Sequence, residues 1–309
     1  MSKRHTETLS AHIRKYLALY SMLVVPVLYF IVFKYLPMFG NILAFRRYRP
    51  GMGPWGTEWV GFQYFERFLR DEFFWRALRN TLLTSIWNIV INFPLPIIFA
   101  IILNECRLKL FKKTVQTISY MPRFISTVVV IAMLGEILSP SSGILNRVLV
   151  NSFGMEPIYF VNLPQWFRPI YVLTDSWQFT GWTAIIYLAA ITNINSDLYE
   201  AAEIDGASRM QKIFHVTIPS IMPTVMVMLI LQIGRMLTLG FEKVLLLYTP
   251  ANSNVSDILD TLVYRTGLAG GMPNYSYATA IGLFSSVVAL ILITSANFTS
   301  RKFTGESIF

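Results

Sequence analysis

The chain alternates long apolar runs with short polar interruptions. Runs of about 20 or more mostly apolar residues, the length that carries a helix across a hydrocarbon core of about 30 Å, fall near 16–36, 81–104, 116–138, 170–193, 220–248 and 276–298. In such surroundings every backbone N–H and C=O must be satisfied internally, so the pattern predicts an all-α membrane protein with six transmembrane helices. Pro26, Pro94, Pro96, Pro122, Pro223, Gly181, Gly234 and Gly240 interrupt these runs, and kinked, closely packed helices are expected. Between the runs, "FQYFERFLRDEFFWRALRN" places Phe62, Phe65, Phe68 and Leu69 at helical spacing against charged residues, which predicts an interfacial amphipathic helix in the first long loop, residues 37–80. In the loop 139–169, Trp166 and Phe167 read as interface anchors. No internal repeat or low-complexity linker divides the chain, so residues 1–309 are read as one domain behind a polar tail, residues 1–15.

Composition agrees with the pattern. Of 309 residues, 54% are hydrophobic and 14% charged, with mean hydropathy +0.51, against about a quarter charged in soluble domains. The net charge of +9 is spread over separate loops, so membrane surface and anionic cargo fit it better than nucleic acid. An even number of spans puts both termini on one side, and Lys and Arg in the tight loops make that side cytoplasmic. One cysteine, Cys106, excludes an internal disulfide. The sequence lacks a G-x-x-x-x-G-K-[ST] phosphate loop, a G-x-S-x-G elbow and a His/Cys/Asp/Glu metal cluster, and of its three histidines His5 and His12 lie in the tail. An enzymatic role is therefore not expected, and no cofactor is expected on this chain.

Between the fourth and fifth runs the chain turns polar in "LYEAAEIDGASRMQKIFHVTIP", residues 198–219. Asp197 and Glu200 have the spacing of a capping box, Gly206 can take the left-handed conformation that ends a helix, and Ser208 with Gln211 repeats the box. Met210, Ile213 and Phe214 then form an apolar stripe, while Ala201, Ala202 and Ala207 are small enough for another surface to approach. A projecting helical hairpin over 195–219 is built to dock a partner.

That stretch closely resembles the EAA loop of ATP-binding-cassette (ABC) importer permeases, with Glu200, Ala201, Ala202, Asp205, Gly206, Ala207, Phe214, Val216 and Pro219 matching. The segments "NLPQWFRPIYVLTDSW", "GFEKVLLLYTP" and "DILDTLVYRTGL" resemble the branch that imports oligo- and polysaccharide fragments, including pectin- and alginate-type saccharides. The resemblance implies a multi-pass subunit of the bacterial cytoplasmic membrane working by alternating access. It implies a second, homologous permease as heterodimer partner, two cytoplasmic ATPase subunits that hold ATP and Mg, and an extracytoplasmic solute-binding protein. The hairpin would then be a coupling helix seated in the ATPase. A permease for another small solute is the nearest alternative. An ion-coupled secondary transporter is a further one, disfavoured by the lack of acidic relays and repeated halves.

Ionisable residues within spans are costly and mark pathways. Arg235, deep in the fifth run, is the candidate for cargo contact or for an internal ion pair with Glu242, which could instead neutralise Lys243. Gln232 precedes Arg235 by nearly one turn, and the fourth run offers Tyr171, Asp175, Trp177, Gln178, Trp182 and Tyr187. Aromatic faces and planar polar groups suit sugars. Uronate carboxylates would suit Arg235 and the arginines of the first outer loop.

Overall fold

The computed structural model describes residues 15–304 apart from 52, 54–57 and 270. Most of the polar tail, with His5 and His12, lies outside the described residues. Within them the chain is helical, with one two-residue antiparallel pairing of Arg46 with Trp59 and Arg47 with Glu58.

Four helical stretches are both long and apolar enough to cross a membrane: Leu17–Phe45, Glu72–Glu105, Arg209–Gly234 and Tyr275–Lys302. A fifth is reached if Lys109–Phe124 and Thr127–Leu138, bent by 101° at their junction, form one span. Helix α1 (Leu17–Phe30) runs on through a π turn and a 3-10 stretch to Phe45 as a rod whose most apolar window is entirely exposed. Only its far end joins the bundle, where Ala44 is fully buried. The expected amphipathic helix of the first loop is split. Helix α2 (Gln63–Leu69) buries Tyr64 and Phe68, and Asp71 then caps α3 (Glu72–Asn92), accepting from the Phe73 N–H at 2.9 Å. Phe68 packs on Phe74 and Phe284, so α2 is fastened to the bundle on one side and leaves Phe62 exposed on the other.

Helix α4 (Pro94–Glu105) continues α3 after Phe93, and a reversal leads to α5 (Lys109–Tyr120). The third run, expected as one span, is instead bent sharply into α6 (Thr127–Leu138), which restarts when the Ser126 hydroxyl accepts from the Val129 N–H. The loop that follows contains a helix the pattern did not predict, α7 (Ile144–Phe153), closed by Gly154 at φ +63°. The buried Asn146 side chain ties it down through the Ile158 amide and the carbonyls of Leu138, Ser139 and Ile158.

Helix α8 (Pro164–Thr192) is the central post, about 43 Å long at 1.5 Å per residue. Asp175, Gln178 and other polar residues keep it below the apolarity of the other four. It supplies Phe167, Tyr171 and Val172 to one core, shared with Ile131, Leu239, Val244 and Ile258, and Ala184, Tyr187, Leu188 and Ile191 to another, shared with Ala100, Leu103 and Ile221. Phe167, read from sequence as an interface anchor, is 2% exposed and belongs to the first of these. Where α5 crosses α8 the backbones meet at Gly181: a β-carbon there would lie 2.3 Å from the Ser119 carbonyl oxygen. Helices α9 (Ser196–Ile204) and α10 (Arg209–Lys212) form the hairpin, and α11 (Ile218–Gly234) returns into the bundle.

The fifth run does not cross as one helix. It ends at Gly234, is unwound through Gly240, and restarts as α12 (Phe241–Leu247). Helix α13 (Leu259–Tyr264) packs beside α12, and the final helix α14 (Tyr275–Thr304) lies against the rod's far end, α2 and α11.

The crossing at Gly181 yields a direct expectation. Gly181→Ala must push α5 off α8 and cost about 1–3 kcal/mol, the range for overpacking a close contact. Thermal unfolding in detergent would reveal it, and an unchanged midpoint would mean that the crossing has slack.

Candidate functional site

The unwound segment 235–240 opens one wall of a cavity of about 370 Å³. Its lining combines α3 (Ser85, Asn88, Asn92), α8 (Tyr171, Asp175, Thr180, Thr183), α11 (Met228, Gln232) and the segment itself (Arg235 to Gly240, except Leu237). Freed backbone groups in an apolar slab need partners, and side chains provide them. The Ser85 hydroxyl donates to the Met236 carbonyl, and the Gly240 N–H donates to the Tyr171 hydroxyl at 3.3 Å.

One polar network borders the cavity. The Lys243 ammonium, 4% exposed as a residue, donates to Asp175 Oδ1 at 2.6 Å and to the Tyr171 carbonyl at 2.9 Å, over the Tyr171 ring. Asn88 donates to Asp175 Oδ2 at 2.6 Å, and Asn92 donates to the Asn88 amide oxygen at 3.0 Å. Ser176 donates to Asn92 in turn. The carboxylate thus meets an ammonium and an amide, which offsets the cost of holding charge away from water. The Thr180 hydroxyl oxygen is buried in the cavity wall without a hydrogen-bond partner.

Arg235 lies in the mouth of this cavity, and among the described residues its guanidinium has neither an ion pair nor a hydrogen-bond partner. Neither sequence-based pairing of Glu242 forms: Glu242 is exposed, and Lys243 turns to Asp175 because α12 starts beyond the unwound segment and presents Lys243 to α8. Gln232 and Tyr171 share the cavity with Arg235, whereas Trp177, Trp182 and Tyr187 do not. Trp177 is half exposed along an apolar groove between α6, α7 and α8, Trp182 is exposed with its edge against Phe124, and Tyr187 is buried in the core beside α4. Sequence reading missed Ser85, Asn88 and Asn92. Their spacing of three and four within an otherwise apolar run marks one polar helix face, and that signal was available.

The hairpin is a second, separate feature. Helix α9 is capped by Asn195, which accepts from the Asp197 N–H at 3.1 Å, two residues before the expected cap. Asp197 falls in the first helical turn, where its charge favours the helix dipole. Gly206 has φ +71°, and the Ala207 N–H to Ala202 carbonyl (2.8 Å) and Gly206 N–H to Glu203 carbonyl (3.0 Å) bonds close α9 in a Schellman turn. Ser208 and Gln211 form the reciprocal box that starts α10. Lys212 bridges to Glu203 at 2.5 Å, clamping the two helices. That hydrogen bond, then the Lys212 charge, lowers the Glu203 carboxyl below its ordinary range, so the clamp holds at neutral pH and is lost as pH falls through the lowered value. Glu200, Ala201 and Asp205 lie on the exposed surface, with Ala202 and Ala207 partly covered. Ile204 is 87% exposed, Met210 60% and Phe214 57%. These side chains leave an exposed apolar patch on a polar hairpin. Among the described residues no group of three or more His, Cys, Asp or Glu is arranged to hold a metal ion.

Residues 92–304 match the family described as binding-protein-dependent transport system inner membrane component. The polygalacturonan/rhamnogalacturonan transport system permease protein YteP of Bacillus subtilis is 45% identical over 291 residues, 94% of this chain and 90% of its own. Protein LplB of the same organism is 43% identical, over 94% and 91%. A chain in the crystal structure of a bacterial alginate ABC transporter, in complex with an alginate pentasaccharide-bound periplasmic protein, superposes with TM-score 0.88 at 40% identity, covering 98% of this chain and all of that one.

The Lys243 network predicts an asymmetric double-mutant cycle. Lys243→Met alone leaves the Asp175 carboxylate largely buried with the Asn88 amide but without its countercharge and should cost about 3–5 kcal/mol, whereas Lys243→Met with Asp175→Asn should recover much of the loss. A double variant destabilised by the sum of the two single losses in thermal unfolding would exclude an energetic coupling between the two.

Proposed function

We propose, since this chain belongs to the family of binding-protein-dependent transport system inner membrane components, that it is the permease subunit of an ATP-driven importer of acidic oligosaccharides. The observation that carries the cargo reading is Arg235: a guanidinium without an internal partner, at the mouth of a cavity lined by Asn88, Asn92, Gln232 and Thr180. A planar fork of donors takes a carboxylate bidentately, and amides and hydroxyls take sugar hydroxyls. The pectin-type relative and the alginate importer point the same way.

Six spans follow if the bent pair α5 and α6 counts as one and α8 as another, with both termini cytoplasmic. The exposed rod Leu17–Phe45 supports a second permease subunit, whose surface would cover a helix this chain leaves bare. Of two ATPase subunits holding ATP and Mg, one would seat on this hairpin through Ile204, Met210 and Phe214, with Glu200, Ala201, Ala202, Asp205, Gly206 and Ala207 shaping the contact. Nucleotide-driven closure then moves a clamped hairpin continuous with α11, and α11 ends at the cavity. An extracytoplasmic binding protein delivers the saccharide.

Two variants test this in the complex co-expressed with its neighbouring transport genes. Arg235→Ala should lower uptake of a galacturonate trimer at least tenfold while the complex assembles normally, and unchanged uptake would remove the acidic-cargo reading. Gly206→Pro cannot adopt φ +71° and loses the N–H to Glu203. It should abolish the ATP hydrolysis stimulated by loaded binding protein although the chain still inserts. Retained stimulation would mean that the hairpin does not couple.

A further inference from the structure

The described cations between Lys34 and Arg107 are all arginines: Arg46, Arg47, Arg49, Arg67, Arg70, Arg76 and Arg79, with no lysine in that interval. The reversal after α4 carries Arg107, and the start of α5 carries Lys109, Lys112 and Lys113. Four of the arginines converge. Arg47, Arg49, Arg67 and Arg70 line one pocket of about 760 Å³ with Tyr48, Gln63, Tyr64, Glu66 and Asn274. The pocket lies where α2 meets the start of α14, the end of α14 remote from the hairpin side, and is separate in its residues from the Arg235 cavity.

Two of the four guanidiniums are engaged. Arg47 pairs with Glu58 at 3.1 Å, and Arg67 lies over the Tyr277 ring at 4.9 Å. Arg49 and Arg70 are exposed and have no ion pair among the described residues. Their support is rigid: Tyr64 is buried beneath, the Tyr48 N–H donates to Ser276 at 3.0 Å, and the Tyr48 ring meets Tyr275 edge-on. The rest of the lining matters as much as the arginines. Gln63 and Asn274 offer amides, and Glu66 accepts from hydroxyls while opposing a compact dianion. Forked cations beside hydroxyl-binding groups match a chain carrying both carboxylates and hydroxyls.

We infer that this pocket is a second saccharide subsite, holding uronate carboxylates on Arg49 and Arg70 before the chain reaches Arg235. The inference rests on the acidic-cargo reading above. The pocket concentrates an anionic chain at the outer face, and the narrower cavity then takes it one unit at a time.

The test uses the full complex in vesicles of neutral lipid, with binding protein loaded with a galacturonate trimer or with its fully methyl-esterified, uncharged form. In Arg49→Gln/Arg70→Gln the half-saturating concentration of trimer-loaded binding protein should rise about tenfold, the worth of one charge-assisted hydrogen-bonded pair. The maximal rate should hold, and the response to the ester should not move. Arg49→Lys/Arg70→Lys, which keeps the charge and loses the fork, should fall between. An equal shift for trimer and ester would make the pocket a docking surface for the binding protein and overturn the inference. A difference that emerges only when phosphatidylglycerol is added would make it a headgroup site and also overturn it. A wild type that uses the trimer and a variant that is unaffected would remove the subsite alone, whereas a wild type that ignores the trimer would remove the cargo reading with it.

Discussion

The buried bond between Lys243 and Asp175 is the constraint on which the membrane interior depends. It joins the short helix Phe241–Leu247 to the central post Pro164–Thr192, beside the core in which Val244 and Leu247 pack with Tyr171 and Val172, and so fixes the far side of the unwound segment. An unwound backbone at membrane depth is tolerated only where protein or water satisfies it. Here Ser85 reaches Met236 and Tyr171 reaches Gly240, each from a helix that Asn88, Asn92 and Asp175 hold in register. Cavity, broken helix and ion pair are therefore one arrangement.

That arrangement explains why Arg235 stands apart from the other intramembrane charges. Lys243 spends its donors inside the protein, on Asp175 and on a carbonyl. Arg235 follows directly on the last helical residue, Gly234, which packs against Ile293 so closely that a side chain there would have to displace it. The chain must leave the helix at that point, and the guanidinium is carried to the cavity mouth rather than into a helix interface. Position in the backbone, more than residue type, separates the cation paired inside the protein from the one left open to the cavity.

What the sequence made legible was local. The apolar runs announced a helical membrane protein, and the hairpin was readable because a glycine with positive φ and a Ser/Gln box act within four residues of themselves. Even there the cap moved from Asp197 to Asn195, since either side chain can accept from an amide two or three residues on and only the start of the helix decides between them. What was not legible depended on residues far apart in the chain. Hydropathy cannot see that a run as apolar as 220–248 breaks, because Ser85 and Tyr171, 151 and 69 residues from the groups they satisfy, permit it. The Asp175–Lys243 pair spans 68 residues for the same reason. Trp177, Trp182 and Tyr187 were drawn toward the path by the chemistry of sugars, but packing puts Trp177 along an apolar groove, Trp182 on the surface against Phe124 and Tyr187 in a core.

The rod Leu17–Phe45 bears on how the molecule is made. With its apolar window bare, it owes its helicity to its own backbone bonds and to lipid, and nothing in the rest of the chain is required to shape it. Translation delivers it ahead of the bundle, so it can reside in the bilayer while the helices that follow are still on the ribosome, joined later to the bundle through the stretch around Ala44. Biogenesis thus divides into an early insertion that is indifferent to the bundle and a late consolidation around Pro164–Thr192, and a chain arrested between the two would be anchored, helical and without a cavity.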